Sequence, residues 1–200
     1  MTRLLLSKSQ LLKERHRLQA FARFLPSLQM KRQQLMAAVA DSRTRLAAGE
    51  ASLRATEERI VNDIPMLSND SIDLSGLVQQ RSLDWQVVNI AGVSVQRVSS
   101  VNLDKPLPSL LTRPLWVYAL QELLASALIQ LRHNQAEEQV VHTLNRELIK
   151  VTQRINLFEK VLIPETEANI RKIQIFLDDK AREAVVVSKI AKNKHSGVAS

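Results

Sequence analysis

Seven basic side chains near the start of the chain, Arg15, Arg17, Arg23, Lys31, Arg32, Arg43 and Arg45, are the groups most able to engage a ligand by charge. Spaced cationic side chains contact phosphates, so nucleic acid is the first chemistry to consider. Aromatics make up 4% of the sequence, too few to interleave with these residues as a base-stacking platform. No zinc, helix-turn-helix or RNP pattern accompanies them. A solvated helical face accounts for the same residues, and no nucleic-acid partner is expected. Catalytic chemistry finds less support. Gly49, Gly76, Gly92 and Gly197 are far apart. None opens a Gly-x-x-x-x-Gly-Lys loop or a dinucleotide fingerprint, so no nucleotide is expected to bind in that manner. His16, His133, His142 and His195 show no paired metal-ligand spacing. Asp178 and Asp179 are expected to offset Lys180 and Arg182 on an exposed helical face. There is no cysteine, hence no disulfide framework and no thiolate metal site. No nucleophile elbow is present. No catalytic residue, no metal and no cofactor is expected; the chain is expected not to be an enzyme by itself.

The elements that carry these residues are long helices. Leu11, Leu18, Leu25, Val39, Leu46, Leu53 and Ile60 fall on one seven-residue ladder, interrupted only by Arg32. Phe21, Leu28 and Leu35 fill the companion positions, followed by the small residues Ser42, Gly49 and Thr56. A strict seven-residue repeat over this length predicts supercoiling. The small companions allow close approach, either by a neighbouring protein or simply by a loose seam. The first helix is predicted over Ser7 to Asp63, with Ser7 or Ser9 as N-cap. Ile64-Pro65 ends it, because the residue before proline is pushed out of helical geometry.

Towards the other end, Leu144, Leu148, Val151, Ile155, Phe158 and Leu162 recur at alternating steps of four and three. That is the a/d pattern of a coiled-coil seam. The second helix is predicted from Pro114, suited to a first turn, to Lys192. At 1.5 Å per residue the two helices would be ~85 and ~120 Å long, which argues for an antiparallel coiled coil rather than a compact globule. With Ser7 level with Lys189, Leu11 pairs with Val185 and Leu46 with Leu148. Pro26 then falls opposite Ile170 and Pro164 opposite Arg32, and a bend is expected near these prolines because each removes one backbone hydrogen bond.

Between the helices, Ser68-Asn69-Asp70-Ser71 is a turn cluster, and 72–82 a short helical or irregular piece. Trp85 to Leu103 is rich in Val and Ile and predicts a β-hairpin with strands near 85–90 and 93–101. Three regions follow: 1–63, an N-terminal coiled-coil helix; 64–113, a central loop and hairpin region; and 114–200, a C-terminal coiled-coil helix with a short basic tail. The fold class is all-α dominated, a long antiparallel two-helix coiled coil with a small β-hairpin in its central loop. The net charge of +8 is concentrated in residues 1–45, which hold ten basic and two acidic residues. In an antiparallel hairpin the last basic residues, including Lys189 and Lys192, join that basic end. No run of apolar residues is long enough to span a bilayer, and the N-terminal apolar run is too short for a signal-peptide core.

The segment Thr152 to Leu177 resembles the C-terminal helix of the D subunits that form the central stalk of V-type (vacuolar and archaeal-type) rotary ATPases. The resemblance is carried by Arg154 and Asn156 beside the seam, a leucine-glutamate pair at Glu159, and an apolar stretch ending in Ile163-Pro164. Asn89 to Val93 and Ser188 to Lys192 are also similar to that family, and the order of helix, hairpin and long helix matches along nearly the whole chain. Pro26 and Gln96 depart from the family pattern. The resemblance implies a rotor shaft transmitting torque between an ATP-hydrolysing or ATP-synthesising ring and a membrane rotor that moves protons or sodium ions. It implies the A and B subunits of the catalytic ring as partners near Arg15, Arg17, Arg23, Lys189 and Lys192. The small F component of the stalk would dock at Ser42, Gly49 and Thr56, and a membrane-rotor cap at the loop end. The hairpin around Val87, Gly92 and Val95 would lie near the ring. The location implied is cytoplasmic and peripheral to the membrane, with no transmembrane segment. The residues alone leave open a free-standing scaffold or adaptor coil, or a basic nucleic-acid-binding coil.

Overall fold

The computed structural model describes residues 4–68, 74–106 and 114–197, with side chains through Lys192. Helix α1 spans Lys8–Asp63 and is followed by a single 3-10 turn, Pro65–Ser68. Strands β1 (Gln79–Ile90) and β2 (Val93–Asp104) form an antiparallel hairpin. Helix α2 (Trp116–Leu157) passes through a π-helical turn, Phe158–Leu162, into α3 (Ile163–Gly197). Ser7 caps α1: its hydroxyl accepts from the Gln10 amide at 3.2 Å, satisfying one of the orphan donors of the first turn. The chain divides into two compact units, 32–150 and 1–31 with 151–200.

In the unit 32–150, α1 and α2 run antiparallel. Arg45 meets Glu137, Gly49 lies against Asn134, and Thr56 meets Gln130, so partner numbers fall along α2 as numbers rise along α1. Leu35, Val39, Ser42 and Thr56 are buried along the predicted ladder and its companions, and Ala136, Val140 and Leu144 are buried on the facing helix. This register corrects the expected pairing of Leu46 with Leu148. Leu46 is next to the Arg45–Glu137 contact, about eleven residues from Leu148, or roughly 16 Å of helical rise. At the far end, Ile64, Leu77, Val117 and Leu120 form a buried cluster with Ile60, Leu67, Trp116 and Leu124 around it. Buried Gln121 ties α2 to the segments flanking the hairpin by donating to the Leu77 and Pro106 carbonyls at 2.7 and 3.0 Å.

The hairpin strands are longer than the sequence predicts. Residues 79–82 belong to β1 instead of a helical or irregular piece, and β2 continues to Asp104. Two register shifts, at Gln80/Ser82 and Asp84/Trp85, bulge the ladder. Polar cross-strand bonds hold this extension: Ser100 donates to Asp84 at 2.5 Å, and the Asn102 amide donates to Ser82 and Asp84 at 2.9 and 3.2 Å. Ile90 pairs with Val93 around Ala91 and Gly92, whose φ values of 50° and 77° define a two-residue turn with both centres left-handed. Asn89 supports it, its side-chain oxygen accepting from the Gly92 amide at 2.9 Å. The rest of the expected turn after Ser68, and Pro108, lie outside the described residues.

In the other unit, α1 continues through Pro26 without a break. Phe21 and Phe158 meet edge to face with ring centroids 5.2 Å apart, and Gln29 donates to Glu159 at 2.9 Å. Pro26 therefore lies level with the π turn, not with Ile170 as expected. The π turn is the accommodation of Pro164. Proline has no N–H for the Lys160 carbonyl and its ring would strike that carbonyl in an α-helix. The helix widens instead, and the Ile163 amide bonds Phe158 O, five residues back. The wider turn also shifts the seam. Continuing Val151, Ile155, Phe158 and Leu162 at strict spacing would bring Glu165 and Lys172 inward. Instead Thr166 and Ile173 are buried and Glu165 and Lys172 exposed, a slip of one residue. From Asp178 to Lys192 every residue is exposed. Val185 is 54% exposed, so it is not the seam partner expected for Leu11. The expectation aligned the two chain ends, whereas α3 runs on beyond the paired stretch.

Candidate partner interface

The most structured polar site lies in the unit 32–150, where α1, α2 and β2 meet. Glu137 on α2 receives Arg45 Nε from α1 at 3.0 Å and Arg97 Nη2 from β2 at 3.3 Å. Its side chain is only 13% exposed, so this carboxylate joins three elements in a partly desolvated position where charge-assisted bonds are strong. Arg45 also donates to the buried Ser42 hydroxyl at 2.9 Å. Arg45, Gly49, Arg97, Val98, His133 and Asn134 line a cleft of about 340 Å³ beside Glu137. Two occluded donors on these residues, Arg97 Nε and Asn134 Nδ2, have no acceptor among the described residues.

The structure gives the small seam residues a partner inside the chain. Ser42 and Thr56 are buried, and Thr56 donates to Ser52 O at 3.0 Å. Gly49 is half-buried, and a Cβ there would stand 2.0 Å from Asn134 Oδ1 and 3.0 Å from its Cγ. The close approach of Asn134 from α2 accounts for a small residue at this level, so the small seam needs no outside protein to explain it.

Most of the other singled-out residues fall on exposed surface. Arg15, Arg17 and Arg23 on α1 and Lys189 and Lys192 on α3 are exposed within one unit. Arg17 contacts Glu14 at 3.4 Å. On the hairpin, Val95 is buried, Val87 is exposed beside Trp85, and Gly92 sits at the exposed turn. Arg154, Asn156, Glu159 and Pro164 are exposed, and Glu159 accepts from Gln29. Arg182 approaches Asp179 at 3.9 Å, whereas Lys180 stands over the Phe176 ring at 5.0 Å instead of offsetting an aspartate. Among the described residues no group of three or more His, Asp or Glu could hold a metal ion, and no helix is long and apolar enough to cross a membrane.

Sequence reasoning missed Glu137, Asn134 and Glu14. Glu14 is 2% exposed and accepts from Gln10 at 2.9 Å. Its place seven residues before Phe21 marked it as a seam residue. Glu137 carries no such signal, because it stands next to an equally acidic Glu138.

Comparison with known proteins adds an independent finding. The family described as the D subunit of ATP synthase matches residues 10–193. The V-type ATP synthase D subunit of Borreliella burgdorferi is 34% identical over 194 residues, covering 96% of this chain and 95% of the relative. That of Chlamydia trachomatis serovar L2 is 33% identical over 195 residues, covering 94% of each chain. The Chlamydia pneumoniae protein is 32% identical over 194 residues, covering 94% of this chain and 91% of its own.

Proposed function

The chain belongs to the ATP synthase D-subunit family, and on that premise we propose that it is the central-stalk rotor shaft of a V-type or A-type rotary ATPase. It transmits torque between the catalytic ring and the membrane rotor and makes no bonds itself. The observation that carries this reading is the full-length family match on two long helices whose apolar seams face each other. Twisting such a close-packed seam disturbs many side-chain contacts together, which is what a shaft requires. The absence of a phosphate-binding glycine loop from the sequence fits a component that leaves nucleotide chemistry to others.

The same reading assigns the partners. The A and B subunits of the ring surround the basic end at Arg15, Arg17, Arg23, Lys189 and Lys192. The small F component of the stalk docks on the segment of α1 that carries Ser42, Gly49 and Thr56, using the exposed surface beside them. A rotor cap meets the loop end. The protein works on the cytoplasmic side, peripheral to the membrane. The hairpin tunes turnover from beside the ring.

Purification of the untagged native protein tests the reading. The expected result is co-purification with nucleotide-binding ring subunits and Mg-ATP hydrolysis by the assembly, with none by the isolated chain. Deletion of Val87 to Val98 should leave an assembly that forms and hydrolyses ATP more slowly. A chain recovered only with itself, as a scaffold coil would be, refutes the shaft.

A further inference from the structure

The hairpin is held to the helices in two different ways. At its base, Arg132 of α2 donates to Gln80 at 2.6 Å, and Lys105, just beyond β2, meets Glu122 at 2.7 Å. Past the level where Gln80 pairs with Leu103, the one polar contact between the strands and a helix among the described residues is Arg97 Nη2 with Glu137. The rest of the hold there is apolar. Val95 and Val98 are buried and line clefts shared with Val140 and Ala136 of α2. Apolar burial is non-directional, so these valines keep the ribbon against α2 without fixing its angle. A charge-assisted hydrogen bond does fix it, because its strength falls steeply with misalignment. Glu137 also uses one atom twice: Arg45 Nε of α1 and Arg97 Nη2 of β2 both donate to Oε1, at 3.0 and 3.3 Å. Its side chain is 13% exposed, and a carboxylate so sheltered is screened less than one on open surface.

We propose that Glu137 is the positioning residue of the hairpin, and that the hairpin's effect on ring turnover depends on it. Glu137 orients the ribbon on α2 through Arg97 and refers that orientation to α1 through Arg45. A movement of the ribbon that turns Arg97 therefore alters the pull on the oxygen that also holds α1. Without the carboxylate, two guanidinium groups face each other with no charge between them. Like charges at close range repel, so the ribbon swings out on its valine contacts. The proposal rests on the reading that the hairpin tunes turnover from beside the ring, and it names the residue through which that tuning passes.

Arg97→Gln and Glu137→Gln test it in the assembled complex, with the deletion of Val87 to Val98 as reference. Arg97→Gln removes the tie from the hairpin side and leaves the Arg45–Glu137 contact between the helices in place. Its thermal midpoint should stay that of the wild type, and amide hydrogen exchange across Val93 to Val98 should quicken. Its Mg-ATP turnover should slow by the same factor as the deletion. Glu137→Gln should slow turnover equally, and no further when combined with the deletion. If Glu137→Gln instead slows the deleted chain as much as the intact one, it acts through the coil and the proposal is overturned. Wild-type turnover in both variants beside a slowed deletion overturns the positioning role and leaves the hairpin reading standing. A deletion that runs at the wild-type rate overturns the hairpin reading and the proposal with it.

Discussion

Replacing Gly49 by alanine sets two effects of similar size against each other. Alanine in a helix interior is about 1 kcal/mol better than glycine. The added Cβ, however, would stand 2.0 Å from Asn134 Oδ1, far inside van der Waals contact. Asn134 must leave its rotamer, at about 0.5–1.5 kcal/mol for a shift of some 30°, or the helices must part. Because Asn134 Nδ2 has no partner among the described residues, its movement breaks no hydrogen bond to them at that atom. Gly49→Ala should therefore change stability by no more than about 0.5 kcal/mol, given the near-cancellation of these terms. In an Asn134→Ala background the obstacle is gone and the same substitution should stabilise by the full ~1 kcal/mol. That is ~2–4 °C in Tm for a chain of this size. The four proteins of the cycle are compared by urea and thermal unfolding followed by circular dichroism. A coupling of about 1 kcal/mol between the sites is expected, as for residues in contact. If Gly49→Ala stabilises equally in both backgrounds, Asn134 does not press on α1 and the account of the small seam is wrong.

Two further outcomes follow from the pairing. The chain has no native cysteine, so Thr56→Cys with Gln130→Cys should join through a short thiol-reactive bridge, while Leu46→Cys with Leu148→Cys should not; the reverse result, read by gel mobility, refutes the antiparallel register. Phe21→Ala and Phe158→Ala should each destabilise the chain in chemical unfolding, with a coupling of about 0.5–1.5 kcal/mol beyond area burial for the edge-to-face pair; additivity within error would remove that contact.

The helices were legible because their signals are periodic. The ladder from Leu11 to Ile60 marks a face directly, and the cap at Ser7 and Pro65 beyond Asp63 marks the ends of α1. The register was not legible. Sliding one helix past the other by a heptad preserves the apolar pattern, so the correct level depends on particular fits such as Gly49 against Asn134. The outer half of the hairpin was missed because Ser82, Asp84, Ser100 and Asn102 pair through polar side chains, with no apolar alternation to announce a strand. Pro164 signalled a disruption, but not its form as a widened turn. The cleft was invisible because its charges come from three separate stretches, Arg45, Arg97 and Glu137, that only the fold brings together.

The widened turn at Phe158–Leu162 has a mechanical consequence. A helix resists torsion through its ladder of regularly spaced backbone bonds, and a twisting load deforms the least regular turn first. Here one donor is absent at Pro164 and the Ile163 amide reaches back five residues. Pro26 removes another donor at the same level of the neighbouring helix. The two strands of the pair thus have their softest turns side by side, clamped by the Phe21–Phe158 contact. Twist applied along this unit collects at that level and is returned from it, as in a spring with one thinned coil.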